Sequence, residues 1–215
     1  MKEQQIAIEE IDCRQVTKAL GYGKKNPPSK GFLQRVEKLI EAAPKHVYSG
    51  YVDRKIKAME KGLVRTDVGT IASPCFGSLA TQAEKVIFGL VTAGPEMDQF
   101  LADCRDTVDA MVVDSIGSIV VEQGVEILRN IVAEALGQYV SLPFSPGYCD
   151  YPLTEQEMIF KPFGDAPLGI RYHPVSFMMT PVKTISFIMA TGPFPLDTNP
   201  CSLCRLETCQ MRRTA

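Results

Sequence analysis

The sequence predicts an α+β fold, a twisted antiparallel or mixed sheet flanked by helices. Three observations carry that expectation. Between Asp106 and about Leu136, apolar residues recur at spacings of three and four, which predicts one long helix. VYSGYV (47–52), VIFGLVTAG (86–94) and TISFIMAT (184–191) are short and rich in β-branched or aromatic residues, which predicts strands. Helices and strands do not alternate in a regular βαβ rhythm, so a doubly wound parallel sheet is not expected.

The elements follow in chain order. CRQVTKALGY (13–22) reads as a short helix closed by Gly21. GKKNPPSKG is a loop, and Ser29 is placed to cap the next helix. Phe32, Val36, Leu39 and Ile40 share one face of that helix, and Pro44 ends it. Residues 53–67 are charged and carry no clear period, and VGTIAS (68–73) predicts a strand. LATQAEKVIFGLVTAG predicts a helix in its first half and a buried strand in its second. Gly94-Pro95 breaks the chain, and EMDQFLADC opens a helix with acidic residues in its first turn.

The long segment is written around Val108, Met111, Val112, Ile116, Ile119 and Val120, and its stripe continues to Val132. Gly117 and Gly124 interrupt it, each at a cost of about 1 kcal/mol against Ala. A glycine kept at that cost predicts the close approach of another backbone or a ligand. Next comes LPFSPGYCDYP (142–152), with prolines and a glycine around Tyr148. A plain linker would use Ser and Gly. Fixed φ at proline beside a glycine of free φ predicts a backbone held in one shape, displaying N–H and C=O groups to a ligand. Thr154 to Glu157 fits a capping box opening the helix TEQEMIF. HPVSFMMTPVK is irregular or extended, and Ile185, Phe187 and Met189 alternate in the last strand. Residues 1–195 are expected to form one domain and 196–215 a Cys-rich tail.

Composition excludes several classes. With 45% hydrophobic and 22% charged residues the chain is of globular type. A net charge of −2 with scattered Lys and Arg gives no footprint for nucleic acid. No apolar run approaches the ~18 residues of a membrane span. The polar start MKEQQIAIEEIDCRQ lacks a signal core, so a cytoplasmic location is expected. Seven cysteines then read as free thiols or metal ligands rather than a disulfide framework.

No P-loop, G-x-G-x-x-G, H-E-x-x-H or G-x-S-x-G occurs, so nucleotide-dependent kinase and ordinary hydrolase chemistry find no support. His173, before Pro174, reads as a structural turn residue. Glu122 and Glu126 lie four apart and share a helix face. They form either a solvated edge or, against a ligand, a site for an ammonium or sulfonium. In the tail, Cys201, Cys204 and Cys209 place three thiols close in sequence. Zinc and iron–sulfur sites usually take four ligands. Cys13, Cys75, Cys104 or Cys149 can complete the set, and free thiols remain the other reading.

Three stretches in order, DSIGSIVVEQGVEIL, FSPGYCDYPLTEQEMIF and SFMMTPVKTISFIMATG, resemble the activation (reactivation) domain of cobalamin-dependent methionine synthase. The family's loop runs R-x-x-P-G-Y-x-x-x-P, and Pro146, Gly147, Tyr148 and Pro152 match it. Its M-x-P-x-x-S-x-S resembles the run from Met179 to Ser186. VTKALGY and VTAGPEMDQFL are similar to stand-alone relatives, so the likeness spans roughly residues 12–192. The Cys-rich tail lies outside the full-length synthase pattern.

The resemblance implies binding of S-adenosylmethionine and reductive methylation of a cobalamin or other corrinoid held by a separate corrinoid-binding protein or methionine synthase core. A flavodoxin or ferredoxin is the implied class of electron donor. It also implies that Glu122 and the loop residues Ser145, Pro146, Gly147 and Tyr148 form the ligand pocket. The chain departs from the family in three places. The loop arginine falls at Pro143, a strand tyrosine falls at Met189, and the N-terminal acidic position is matched only by Asp12. Loss of a charge-assisted pair would cost about 1.5–3 kcal/mol of affinity. The competing expectations are a docking or regulatory module without S-adenosylmethionine, and a metal or redox protein using the tail cysteines.

Overall fold

The computed structural model describes residues 1–60, 62–196 and 204. The strands are β1 (Lys2–Ala7), β2 (His46–Lys55), β3 (Ala58–Glu60), β4 (Leu63–Arg65), β5 (Thr70–Ala72), β6 (Lys85–Thr92), β7 (Tyr139–Val140), β8 (Arg171–Tyr172), β9 (Met179–Thr180) and β10 (Thr184–Gly192). The helices are α1 (Cys13–Ala19), α2 (Lys30–Ala42), α3 (Pro74–Leu79), α4 (Gly94–Ala102), α5 (Thr107–Leu136) and α6 (Gln156–Phe160). The main sheet has five strands in the order β1-β2-β6-β10-β7. Every pairing in it is antiparallel, so the expected α+β architecture is present with an antiparallel sheet.

Two apolar layers sandwich this sheet. On one face, Ile87 and Val91 of β6 and Phe187 and Met189 of β10 pack with α1, α2 and the stripe of α5. On the other, Val86, Phe88 and Leu90 of β6 and Ile188 and Ala190 of β10 pack with α3, α6 and the β3-β4-β5 sheet. Both central strands are thus covered on both faces, which explains why VIFGLVT reads as an unbroken apolar run rather than an alternating one.

Helix α5 spans 30 residues. The Asp106 carboxylate accepts hydrogen bonds from Val108 N and Asp109 N at its start, and Gly137 ends it at φ 60°. Its two interior glycines are contact points, but what approaches them is side chains rather than the backbone or ligand expected. A Cβ on Gly124 would lie 2.6 Å from Val47 and 3.1 Å from Val91, and one on Gly117 would lie 2.8 Å from Lys183. Gly124 lets the helix sit directly on β2 and β6, and Gly117 makes room for the Lys183 and Met97 side chains. Ser29 caps α2 through Phe32 N, as its position before the amphipathic run predicts.

Two local expectations are corrected. The helix expected across 79–85 lies earlier, at Pro74–Leu79, because Ser73 caps it and Pro74 suits its first turn. Residues 80–84 instead form a turn feeding β6, with Glu84 N donating to Thr191 O. The capping box at Thr154 does not form. Leu153–Glu155 is a 3-10 turn with no side-chain cap, because Pro152 and the preceding turn set the entry to α6. Among the described residues no helix is long and apolar enough to cross a membrane.

Candidate functional site

The Pro-Gly loop is locked onto the edge of the sheet. Phe144 exchanges two backbone hydrogen bonds with Ile188 of β10, both 2.9 Å. Tyr148 N then donates to Ser145 O at 3.0 Å across Pro146 and Gly147, and Gly147 sits at φ +92°. Proline followed by a positive-φ glycine is the pattern of a type II turn. A second turn follows, with Tyr151 N donating to Tyr148 O at 2.8 Å and Gly147 N donating to Tyr151 O at 2.6 Å. The rigidity expected from the sequence is therefore present. The expected display of N–H groups is corrected at Phe144, Gly147, Tyr148 and Tyr151, whose amides donate within the protein. The carbonyls of Ser145, Tyr148 and Tyr151 accept within the turn, and the Tyr148 ring is half exposed.

An aromatic stack supports the turn from below. Tyr151 stacks on Phe144 at 5.7 Å, and Phe76 of α3 lies 5.8 Å from Phe144. Tyr148 stands edge-on to Phe144 at 6.2 Å and is 52% exposed. One side of its ring is held and the other faces solvent. The Tyr151 hydroxyl is buried with no hydrogen-bond partner among the described residues. Burial, followed by the charge of Glu155, raises its pKa.

Asp150 latches the loop to α3. Its carboxylate accepts from the Ser73 hydroxyl and, at 3.0 Å, from Cys75 N. Burial opposes the charge on Asp150, but the Ser73 and Cys75 hydrogen bonds outweigh it and hold the carboxyl below its ordinary value. Nothing in the sequence pattern pairs Asp150 with Ser73, which lie far apart in the chain.

Glu122 is exposed on α5, one turn beyond Ser118 and two beyond Asp114. Lys183, at the entry to β10, bonds both of those residues, with Nζ 2.7 Å from Asp114 and 2.9 Å from Ser118. Glu126 is paired with Arg129 at 2.5 Å, and Arg129 also donates to Val140 O. Of the two expected carboxylates, Glu126 is thus engaged in an ion pair. The aromatic anchors of the loop, Phe144 and Tyr151, belong to the core layer opposite α5. Three surface clefts, of about 480, 350 and 530 Å³, stand out, and neither Glu122 nor residues 145–148 line them.

The first of these clefts drew no notice from the sequence. It lies between α6 and β8, lined by Glu157, Lys161, Asp165, Arg171 and Tyr172 among others. Its wall is a tightly wound segment with Gly164, Ala166, Leu168 and Gly169 all at positive φ. Its sequence signal is the pair of glycines, Gly164 and Gly169, flanking Asp-Ala-Pro-Leu.

Two of the three departures from the family pattern have structural duties. Met189 is fully buried in the α5 layer. Asp12 caps α1, accepting from Arg14 N at 2.8 Å and pairing with its guanidinium at 2.9 Å. Those Arg14 hydrogen bonds lower its pKa. Pro143 is half-buried beside Phe144. His173 is structural, as expected, with Nδ1 accepting from Val175 N and Ser176 N.

Of the tail cysteines, Cys201 and Cys209 lie outside the described residues. Cys204 is placed, and the Cys149 thiol hydrogen-bonds with both it and Cys75. Burial first, then those two contacts, push the Cys149 thiol far up. As they stand, no three His, Cys, Asp or Glu side chains among the described residues close on a metal-ion position.

Comparison with known proteins shows the fold. The chain superposes on the crystal structure of the MetH reactivation domain bound to AdoHcy with a TM-score of 0.60. The match covers 91% of this chain and 81% of that one, at 12% sequence identity. No family model matches the sequence, and no curated protein matches it. The fold expected from the three sequence stretches is therefore the fold observed.

Proposed function

We propose that this chain binds S-adenosylmethionine and serves as an accessory in the reductive methylation of a corrinoid held by a separate protein in the cytoplasm. The observation that carries the reading is the fold it shares with an AdoHcy-bound reactivation domain over nearly its whole length. The preformed turn at Pro146-Gly147-Tyr148 supports it, because a ligand would meet a backbone already in place and a half-exposed aromatic ring. In this reading Tyr148 walls the adenosyl group, carbonyls of the turn accept from the ligand's amino groups, and Glu122 supplies negative charge near the sulfonium. The carbon–cobalt chemistry belongs to the two cofactors. The protein contributes position and electrostatics. Electrons would come from a flavodoxin- or ferredoxin-type donor.

A second reading is favoured by one feature of the site. None of the three described clefts is lined by Glu122 or the turn, and Pro143 stands where the family pattern has an arginine that would grip a carboxylate. This reading makes the chain a docking module for a corrinoid protein that no longer takes the methyl donor. A metal or redox role for Cys201, Cys204 and Cys209 is compatible with either.

Isothermal titration with S-adenosylmethionine separates the two. Micromolar binding lost in Tyr148→Ala and weakened in Glu122→Gln supports the methyl-donor site. Silence at millimolar ligand sinks it and leaves the docking module.

A further inference from the structure

Two lysines stand directly opposite each other in the main sheet. The antiparallel pairing of β2 with β6 sets Lys55 against Lys85, at the end where β2 finishes and β6 begins. Side chains of paired residues leave the same face, and like charges in that position destabilise a sheet. The backbone does not let the pair part. Ile56 N donates to Glu84 O at 2.9 Å and Lys57 N donates to Arg65 O at 2.8 Å. The chain just after Lys55 is thus pinned both to the entry of β6 and to β4.

The same place is concave. A cleft of about 350 Å³ is lined by Asp53, Arg54, Lys55, Lys57, Asp67 and Lys85. Its two carboxylates are already engaged, with Lys85 Nζ 3.0 Å from Asp53 and Arg54 Nε 3.4 Å from Asp67. Arg54 also donates to Asp53 O at 3.0 Å, which sets its guanidinium in the wall. Lys55 and Lys57 have no ion pair among the described residues. Four cations against two carboxylates leave the cleft a charge of +2, in a chain whose net charge is −2. These lysines are scattered in sequence, and the passage from β2 into β3 and the start of β6 bring them together.

We propose that this cleft binds a phosphate dianion, either the free ion or the phosphate group of a small ester, through Lys55, Lys57 and Lys85. A phosphate group carries about −1.5 to −2 at neutral pH, which matches the surplus. Its oxygens are enough to take a charge-assisted hydrogen bond from each ammonium. The volume lies at the small end of ligand sites, so it fits a small ester rather than a large one. The bound anion would turn the Lys55–Lys85 repulsion into two attractions to one shared charge. The cleft shares no residue with the Tyr148 turn or with Glu122, and this inference does not depend on the methyl-donor reading.

The test titrates the isotope-labelled full chain with sodium phosphate and, separately, with glycerol phosphate. Sodium chloride holds the ionic strength constant, and amide chemical shifts and the thermal midpoint are read. The expected result is saturable shifts centred on residues 53–57, 67 and 85, with a midpoint that rises on binding. Tighter binding of glycerol phosphate identifies an ester as the ligand, and equal or tighter binding of phosphate identifies the free ion. Lys55→Gln and Lys57→Gln should each weaken binding by about tenfold. Lys25→Gln, in the loop before α2, should bind as wild type does. Lys55→Gln also guards against misfolding as the cause of loss. With the repulsion removed, its midpoint in chloride alone should equal or exceed that of wild type. Four results overturn the proposal. The shifts fail to saturate or match those from chloride, or both variants bind as wild type does, or Lys55→Gln without ligand unfolds below wild type, or a polyglutamate peptide binds saturably where neither phosphate does.

Discussion

The Asp150 carboxylate accepts a hydrogen bond from the Ser73 hydroxyl across 77 positions of chain, joining the turn that carries Tyr148 to the start of α3. Ser73 in turn caps that helix through Phe76 N at 3.1 Å. One carboxylate therefore holds both the loop and the helix end. Asp150→Asn should destabilise the protein on the order of 1 kcal/mol, since the group is largely solvated. Its folded pKa is depressed, so its contribution is complete above the ordinary carboxylate value near ~3.9 and fades as pH falls through the lower folded value. Urea midpoints of wild type and Asp150→Asn should differ by a constant amount from pH 5 to 8 and converge below about pH 4. A gap that widens in acid would contradict this account of the latch.

Gly147→Ala should damage the turn without creating a clash. An added Cβ would meet Leu153 at 3.4 Å, an ordinary contact, but φ +92° is outside the reach of alanine. The expected loss is about 1–2 kcal/mol in urea unfolding. Its local origin should show as chemical-shift changes confined to residues 144–153.

Gly124→Ala sets helix propensity against packing. Alanine gains about 1 kcal/mol in an open helix. Here the new methyl would fall 2.6 Å from Val47, inside the layer between α5 and the sheet. Overpacking of that kind costs typically 1–3 kcal/mol. The net effect on the thermal midpoint should be a decrease. An increase would show that α5 is less tightly seated than its contacts imply.

Tyr151→Phe should be neutral or stabilising, by up to about 1 kcal/mol. The ring is 1% exposed and stacks on Phe144, but its hydroxyl has no partner among the described residues. An unpartnered buried hydroxyl is a net burden, and removing it keeps the stack. A loss above about 1 kcal/mol would reveal a partner such as a buried water.

Much of the architecture was legible because period and caps are local signals. Asp106 and Gly137 bracket α5, and the apolar runs of β2, β6 and β10 stand where the sequence places them. That Gly117 and Gly124 mark close contacts could also be inferred, although the partners are side chains rather than a backbone or ligand. Local reading failed where a distant partner decides the outcome. Residues 80–84 turn rather than coil because β10 receives Glu84 N. The Asp150–Ser73 latch and the Cys75–Cys149–Cys204 group join segments that carry no mark of each other. Glu122 and Tyr148 are linked through family likeness alone, because the elements that anchor them, α5 and the Phe144–Tyr151 stack, belong to different core layers and share no local sequence signal.

The proposed function places S-adenosylmethionine at the turn around Gly147 and Tyr148, with the Glu122 face of α5 supplying charge. Hydrogen–deuterium exchange with and without millimolar S-adenosylmethionine reads this location directly. The account predicts added protection in residues 144–151 and in the α5 turn around Glu122. Unchanged exchange in both segments, or protection confined to the cleft between α6 and β8, would contradict it.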